Sequence, residues 1–170
     1  MRNKNPIDIH INWYGPYTLD QVIGLNNDSQ DFGVYQIYGS HPVYGSHILL
    51  YVGKAIKQTF GVRIPQHNWH FNKDGGNVQI YIGRLHQGEI KSFTEWEALI
   101  TLAENMILYA CSPARNSQSI KQLPEGYDHI HILNWGQYRD LLPEMSGKRW
   151  SDTILGDDFN LGNLDVIHKE

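Results

Sequence analysis

Apolar and polar positions change period along the 170 residues, and each change marks an element. Residues 33–38 and 48–53 are short runs rich in Val, Ile, Tyr and Leu, separated by a Gly/Ser/His/Pro loop. Both read as strands. They pair most economically as an antiparallel hairpin, because a parallel pair needs a crossover helix. After Gly75-Gly76 a third strand is predicted over 78–85. The clearest helix spans 94–111, with apolar residues at 96, 99, 100, 103, 106, 107 and 110 forming one stripe. Thr94 and Glu97 form a capping box at its start, and Pro113 follows its end. An earlier box, Thr18 with Gln21, opens a short helix that the polar run 26–29 closes. Residues 57–71 read as helix, kinked or restarted at Pro65. Beyond residue 120 the pattern predicts a strand over 129–133 and a short helix over 138–142.

The order predicts an α/β (α+β) fold, a small three-stranded antiparallel sheet flanked by helices. Residues 1–29 form an N-terminal arm with the short helix, 30–118 the main domain, and 119–170 an extension packed on it.

Composition narrows the class. With 41% apolar and 12% aromatic residues the chain can bury a core, which excludes a disordered tail or a disulfide-built miniprotein. One cysteine, Cys111, excludes an intrachain disulfide and Cys-rich zinc sites. No apolar run nears the ~18 residues that span a membrane, and the polar N-terminus leads into no signal-peptide core, so a soluble cytoplasmic protein is expected. The net charge of −4 at first disfavours nucleic acid. It is unevenly spread: residues 5–53 carry −4 and 122–170 carry −5, whereas 54–121 carry +3. That basic middle permits a phosphate site.

Singly, the candidate site residues are ambiguous. Tyr35 and Tyr51 lie on strands, where tyrosine is usually a packing residue. Lys54 is ordinarily a solvated charge. Arg63 and His67, four apart, share a helical face, yet such pairs often decorate surfaces. Glu104 flanks the apolar stripe of its helix, either reaching water or half-buried and in need of a cation. His129 and His131 would share a strand face, more simply as a satisfied pair than as metal ligands. Trp69, Trp96, Trp135 and Trp150 are expected in the core.

Together they resemble the GIY-YIG nuclease superfamily over residues 30–118. Gly33-Val34-Tyr35 is similar to the first signature tripeptide. Tyr51-Val52-Gly53, followed by Lys54-Ala55, is similar to the second. Arg63 comes twelve residues after Tyr51, and His67 four later. Glu104 is followed by Pro113 at nine residues and Asn116 at twelve. Tyr81-Ile82-Gly83 also fits the second tripeptide literally, but lacks a following Arg-x-x-x-His and reads as structural. Fifteen residues separate the two tripeptides, and such long hairpins resemble those of restriction-type members.

The resemblance implies a Mg²⁺-dependent endonuclease, Mn²⁺ being a possible substitute, that hydrolyses phosphodiester bonds of DNA. Glu104 would be the metal ligand, preferred to Glu97, which lies two turns and roughly 10 Å away. Arg63 would fork onto phosphate oxygens. Tyr35 would be the general base, its pKa lowered by Lys54, with His67 as rival for that role. Tyr51 and His67 would orient water or phosphate, and Asn116 would fix the shape of the site. Sequence-specific double-strand cleavage of the type II restriction kind is the leading expectation, and a chain with one site suggests a homodimer on a palindrome. A structure-specific, repair or mobile-element nuclease is the alternative within the class. A non-catalytic nucleic-acid-binding module is the alternative outside it.

Overall fold

The structure, a computed structural model, describes residues 6–67, 78–86, 92–117, 123 and 126–150. The chain opens on a long strand, β1 (Ile7–Tyr17), in which Ile9, Ile11 and Trp13 are buried and Asp8, His10 and Tyr14 are exposed. That period of two is a half-buried strand pattern. Thr18 caps α1 (Leu19–Ile23) through the predicted capping box. The hairpin follows as β2 (Gly33–His41) and β3 (Gly45–Ala55), paired antiparallel and longer at the loop than the apolar runs suggest. A single turn, α2 (Phe60–Arg63), continues as a 3-10 turn over Ile64–Gln66 with Pro65 in its first positions. Pro65 therefore restarts the chain rather than kinking one long helix, since its ring and missing N–H cannot sit inside an α-helix. The rest of the predicted 57–71 helix, from residue 68, lies outside the described residues.

The third strand is β4 (Gln79–Leu85), and the long helix is α3 (Phe93–Cys111). Its cap is Ser92, whose hydroxyl accepts from Glu95 N, and not Thr94. The helix ends where Ser112 turns left-handed at φ 44, just before Pro113. The C-terminal part adds β5 (Ile130–Gly136), β6 (Glu144–Ser146) and α4 (Gly147–Trp150). Residues 138–142 form turns instead of a helix. Leu141 is buried there and the amide of Asp140 donates to Tyr38 Oη at 3.2 Å, so tertiary contacts hold the segment.

These strands make one six-stranded sheet in the order β3-β2-β4-β1-β5-β6. The three-stranded sheet expected from sequence is thus its β3-β2-β4 half. The N-terminal arm supplies β1, inserted between β4 and β5, antiparallel to the former and parallel to the latter. Trp13 is anchored by its indole N–H, which donates to Asn134 Oδ1 at 2.8 Å.

The sheet buries both faces of its hairpin half. On one side α3 packs Trp96, Ile100, Ala103, Met106 and Ile107 against Ile11, Trp13, Val34 and Val52. On the other, Val22 of α1 and Phe60 of α2, with Ile64 beyond, cover Tyr35, Ile37, Ile80 and Ile82. Burial on both faces explains why residues 33–39 of β2 are all buried instead of alternating. Trp135 departs from expectation: it is exposed and stacks on His10, with ring centroids 6.0 Å apart. Trp69 and the side chain of Trp150 lie outside the description. Tyr81 of the Tyr-Ile-Gly in β4 packs edge-on against Tyr38, consistent with a structural part. Among the described residues no helix is long and apolar enough to cross a membrane.

Candidate functional site

Strand alternation sorts the candidate residues. Tyr35, Tyr51 and Gly53 face the α1/α2 side of the hairpin, and Lys54 faces α3. Tyr35 pairs across the hairpin with Gly53, and its ring crosses that glycine. A Cβ at position 53 would stand 2.5 Å from Tyr35 Oη, 2.6 Å from Cζ and 2.8 Å from Tyr51 Cε1. The glycine that ends the second tripeptide is therefore required by the tyrosine of the first. In the sequence Gly53 counted only as part of a motif, and the cross-strand register gives it this role.

The Tyr35 phenol ends on His67, with Oη 2.7 Å from Nε2. The Tyr51 ring lies beside both, its centroid 4.8 Å from that of His67 and 6.2 Å from that of Tyr35. His67 does not arrive by sharing a helical face with Arg63. It terminates the 3-10 turn, where its N–H donates to Ile64 O at 3.1 Å. Arg63 is the last residue of α2 and donates to Gln66 Oε1 at 3.1 Å. The turn carrying Arg63 is held from below: Phe60 N donates to Asp31 O and Gly61 N to Leu25 O, each at 2.9 Å. Thr59 Oγ1 adds a bond to Asn26 Oδ1 at 2.7 Å.

Glu104 lies on the same sheet half from the α3 side. Its side chain is 13% exposed and meets Lys54 Nζ at 2.7 Å. This is the half-buried carboxylate with a cation beside it, as one of the two sequence readings required. Glu97, also half-buried, lies two turns back towards the start of α3.

Asn116 acts on the strand itself. Its Oδ1 accepts from Val52 N at 3.0 Å, and its Nδ2 donates to Val52 O at 2.9 Å. Ala114 N and Arg115 N donate to Leu49 O and Leu50 O at 3.2 and 2.9 Å. Residues 114–116 thus satisfy the outer edge of β3 and tie it to the end of α3, on either side of Tyr51. Open strand edges need such cover.

The electrostatics run against one expectation. Burial pushes the Tyr35 phenol far up, aided by Tyr51 and Glu104 and opposed by the Arg63 charge and hydrogen bond. Burial and Glu104 raise Tyr51 as well, again against Arg63. Lys54, which faces α3 and pairs with Glu104, is not among the groups that lower either phenol. Burial, and then the Arg63 charge, lower His67 to about 4, so its imidazole is neutral near pH 7. Arg63 and Glu104 both act on both tyrosines, which puts each of them within electrostatic reach of the two phenols.

Among the described residues Glu104 is the one carboxylate placed at this cluster. Among the described residues no group of three or more His, Cys, Asp or Glu side chains could hold a metal ion. A single carboxylate still fits Mg²⁺, which keeps several waters and shares its shell with substrate phosphate, whereas it suits structural zinc poorly. His131, between Asp8 at 3.3 Å and Glu144 at 3.8 Å, is a satisfied surface histidine, and His129 meets Asp128 at 3.5 Å. Compared with models of protein families, with curated proteins and with solved structures, the chain gives no match.

Proposed function

We propose that this chain is a Mg²⁺-dependent DNA endonuclease of the GIY-YIG type. One observation carries the reading: of the residues picked by motif spacing, Tyr35, Tyr51 and His67 meet from two strands and a short turn, with Arg63 and Glu104 within electrostatic reach of both tyrosines. Tyr35 and His67 are hydrogen-bonded at 2.7 Å, the Tyr51 ring lies tilted beside them, and Arg63 and Glu104 act electrostatically on both tyrosines. A packing core has no use for this mixture of buried phenols, imidazole, guanidinium and carboxylate.

Phosphodiester hydrolysis needs a deprotonated water, charge stabilisation on the phosphate and help for the leaving oxygen. Arg63 supplies a planar fork for two phosphate oxygens. Tyr35 is fully buried, and its raised pKa keeps the phenol protonated, which suits it to holding His67 rather than to attacking water. The His67 imidazole, neutral near pH 7 and hydrogen-bonded through Nε2 to Tyr35 Oη, can take the proton of water. His67 is therefore the preferred base and Tyr35 the group that orients it. Tyr51, half-buried beside them, orients water or phosphate. Glu104 would hold Mg²⁺, which when bound supplies Lewis-acid stabilisation of the phosphate charge.

Within this reading, sequence-specific cleavage of both strands by a homodimer remains the favoured form. Plasmid DNA incubated with the protein and Mg²⁺ should be cut, and EDTA should stop it. Discrete fragments mark a restriction-type enzyme, and nicking or smearing marks a structure-specific or nonspecific one. Glu104→Gln and Arg63→Ala should fold as the parent does and lose at least about 10²-fold in rate. No cleavage by the parent chain, or full rate in either variant, refutes the assignment.

A further inference from the structure

We propose that Lys54 is an internal cation of this site: it holds Glu104 in the metal-free protein and, when a divalent ion takes the carboxylate, its ammonium is released to a substrate phosphate. The inference rests on the reading above. Its ground is the contact of Lys54 Nζ with Glu104 Oε2 at 2.7 Å, between side chains only 29% and 13% exposed. A carboxylate so far out of water needs a positive partner, and Lys54 is that partner here.

A divalent ion at the same carboxylate meets two obstacles, loss of the existing ion pair and repulsion by the ammonium. Arginine in this place would resist displacement through a rigid two-pronged contact. Lysine offers a compact charge on a flexible stem that can swing away. Position 54 adjoins Gly53, across which Tyr35 lies. Lys54 itself faces α3, away from the phenols, but Glu104, which it holds, is within electrostatic reach of both Tyr35 and Tyr51, so a phosphate bound there is the next available anion for the released ammonium. Metal and phosphate then assist each other, because each favours the state in which Lys54 has left Glu104. In the metal-free protein both affinities are held down, so Lys54 makes phosphate binding depend on metal loading.

Two measurements on the full chain test this. Mn²⁺ binding, followed by the electron paramagnetic resonance signal of the free ion, should tighten about tenfold in Lys54→Met. Lys54→Arg, which keeps the charge, should stay within about twofold of the parent or bind more weakly. In EDTA, a fluorescently labelled DNA duplex should bind Glu104→Ala several-fold more tightly than the parent, and the double variant Glu104→Ala/Lys54→Met should lose that gain. Unchanged or weaker Mn²⁺ binding by Lys54→Met overturns the proposal. Should Lys54→Met not fold, Lys54→Gln takes its place, and a gain that survives in the double variant is equally fatal. Parent-like Mn²⁺ affinity in Glu104→Ala has a separate meaning: Glu104 is not the metal ligand and the reading of the site itself fails.

Discussion

Replacing Gly53 by alanine tests whether the two tyrosine strands are built around each other. The added methyl would stand 2.6 Å from Tyr35 Cζ and 2.5 Å from its Oη. Comfortable carbon contacts are about 3.5–4.0 Å, so the ring must retreat by about 1 Å. It has little room to do so. Tyr35 is fully buried, with Tyr51 and His67 beside it and Phe60 and Ile64 in the same core cluster. A retreat of that size stretches the 2.7 Å bond to His67 beyond hydrogen-bonding range. Overpacking costs about 1–3 kcal/mol and the lost bond about 1 kcal/mol more, giving about 2–4 kcal/mol in all. Urea denaturation at pH 7 measures this as a shift in midpoint at constant slope. In a Tyr35→Ala background the methyl has space, so the same substitution should cost at least about 1 kcal/mol less. A misplacement of about 1 Å also predicts a loss near 10²-fold in cleavage rate. Gly53→Ala within about 0.5 kcal/mol of the parent, with no coupling to position 35, would refute this account of the site's packing.

Two further outcomes follow from the same cluster. Because burial and Arg63 lower His67 to about 4, the unfolded chain takes up a proton below about pH 6.5 that the folded chain refuses. Stability from this group is therefore complete above about pH 6.5 and declines as pH falls to about 4, by about 1–3 kcal/mol. Urea midpoints across that window should fall less steeply for His67→Gln than for the parent. An equal slope in the two would show that His67 keeps an ordinary pKa. Asn116→Ala leaves the Val52 N–H and C=O without their side-chain partners, at a cost of about 1–3 kcal/mol. Exchange of the Val52 amide hydrogen should accelerate at least about tenfold, and unchanged protection there would mean that Asn116 does not secure the strand.

Much of the fold was legible because it is local. The hairpin, α3 and the Thr18–Gln21 box depend on period and on neighbours a few residues away, and each formed close to where the pattern put it. The alternation of Ile7, Ile9, Ile11 and Trp13 carries a strand signal as clear as any, yet an N-terminal arm with a short helix was expected there. The place of β1 between β4 and β5 was beyond any local reading, because its partners lie some seventy and more than a hundred residues away. Thr94 was expected to cap α3, but Ser92 does so because its hydroxyl reaches Glu95 N.

The candidate site divides along the same line. Motif order alone picked Tyr35, Tyr51, Lys54, Arg63, His67, Glu104 and Asn116 out of many similar residues. Their relations came only with the tertiary structure. Pro65 breaks the helical turn that was to join Arg63 with His67, and a 3-10 turn brings them to the tyrosines instead. Lys54 points away from the phenols it was expected to acidify, because successive strand residues face opposite sides of a sheet. Burial then raises those phenols and lowers the imidazole, and on that ground the proposed mechanism takes His67 rather than Tyr35 as its base. Residue identity and spacing specify which groups can meet. Desolvation and the direction of each side chain depend on elements that are remote in sequence, and those decide what the groups can do.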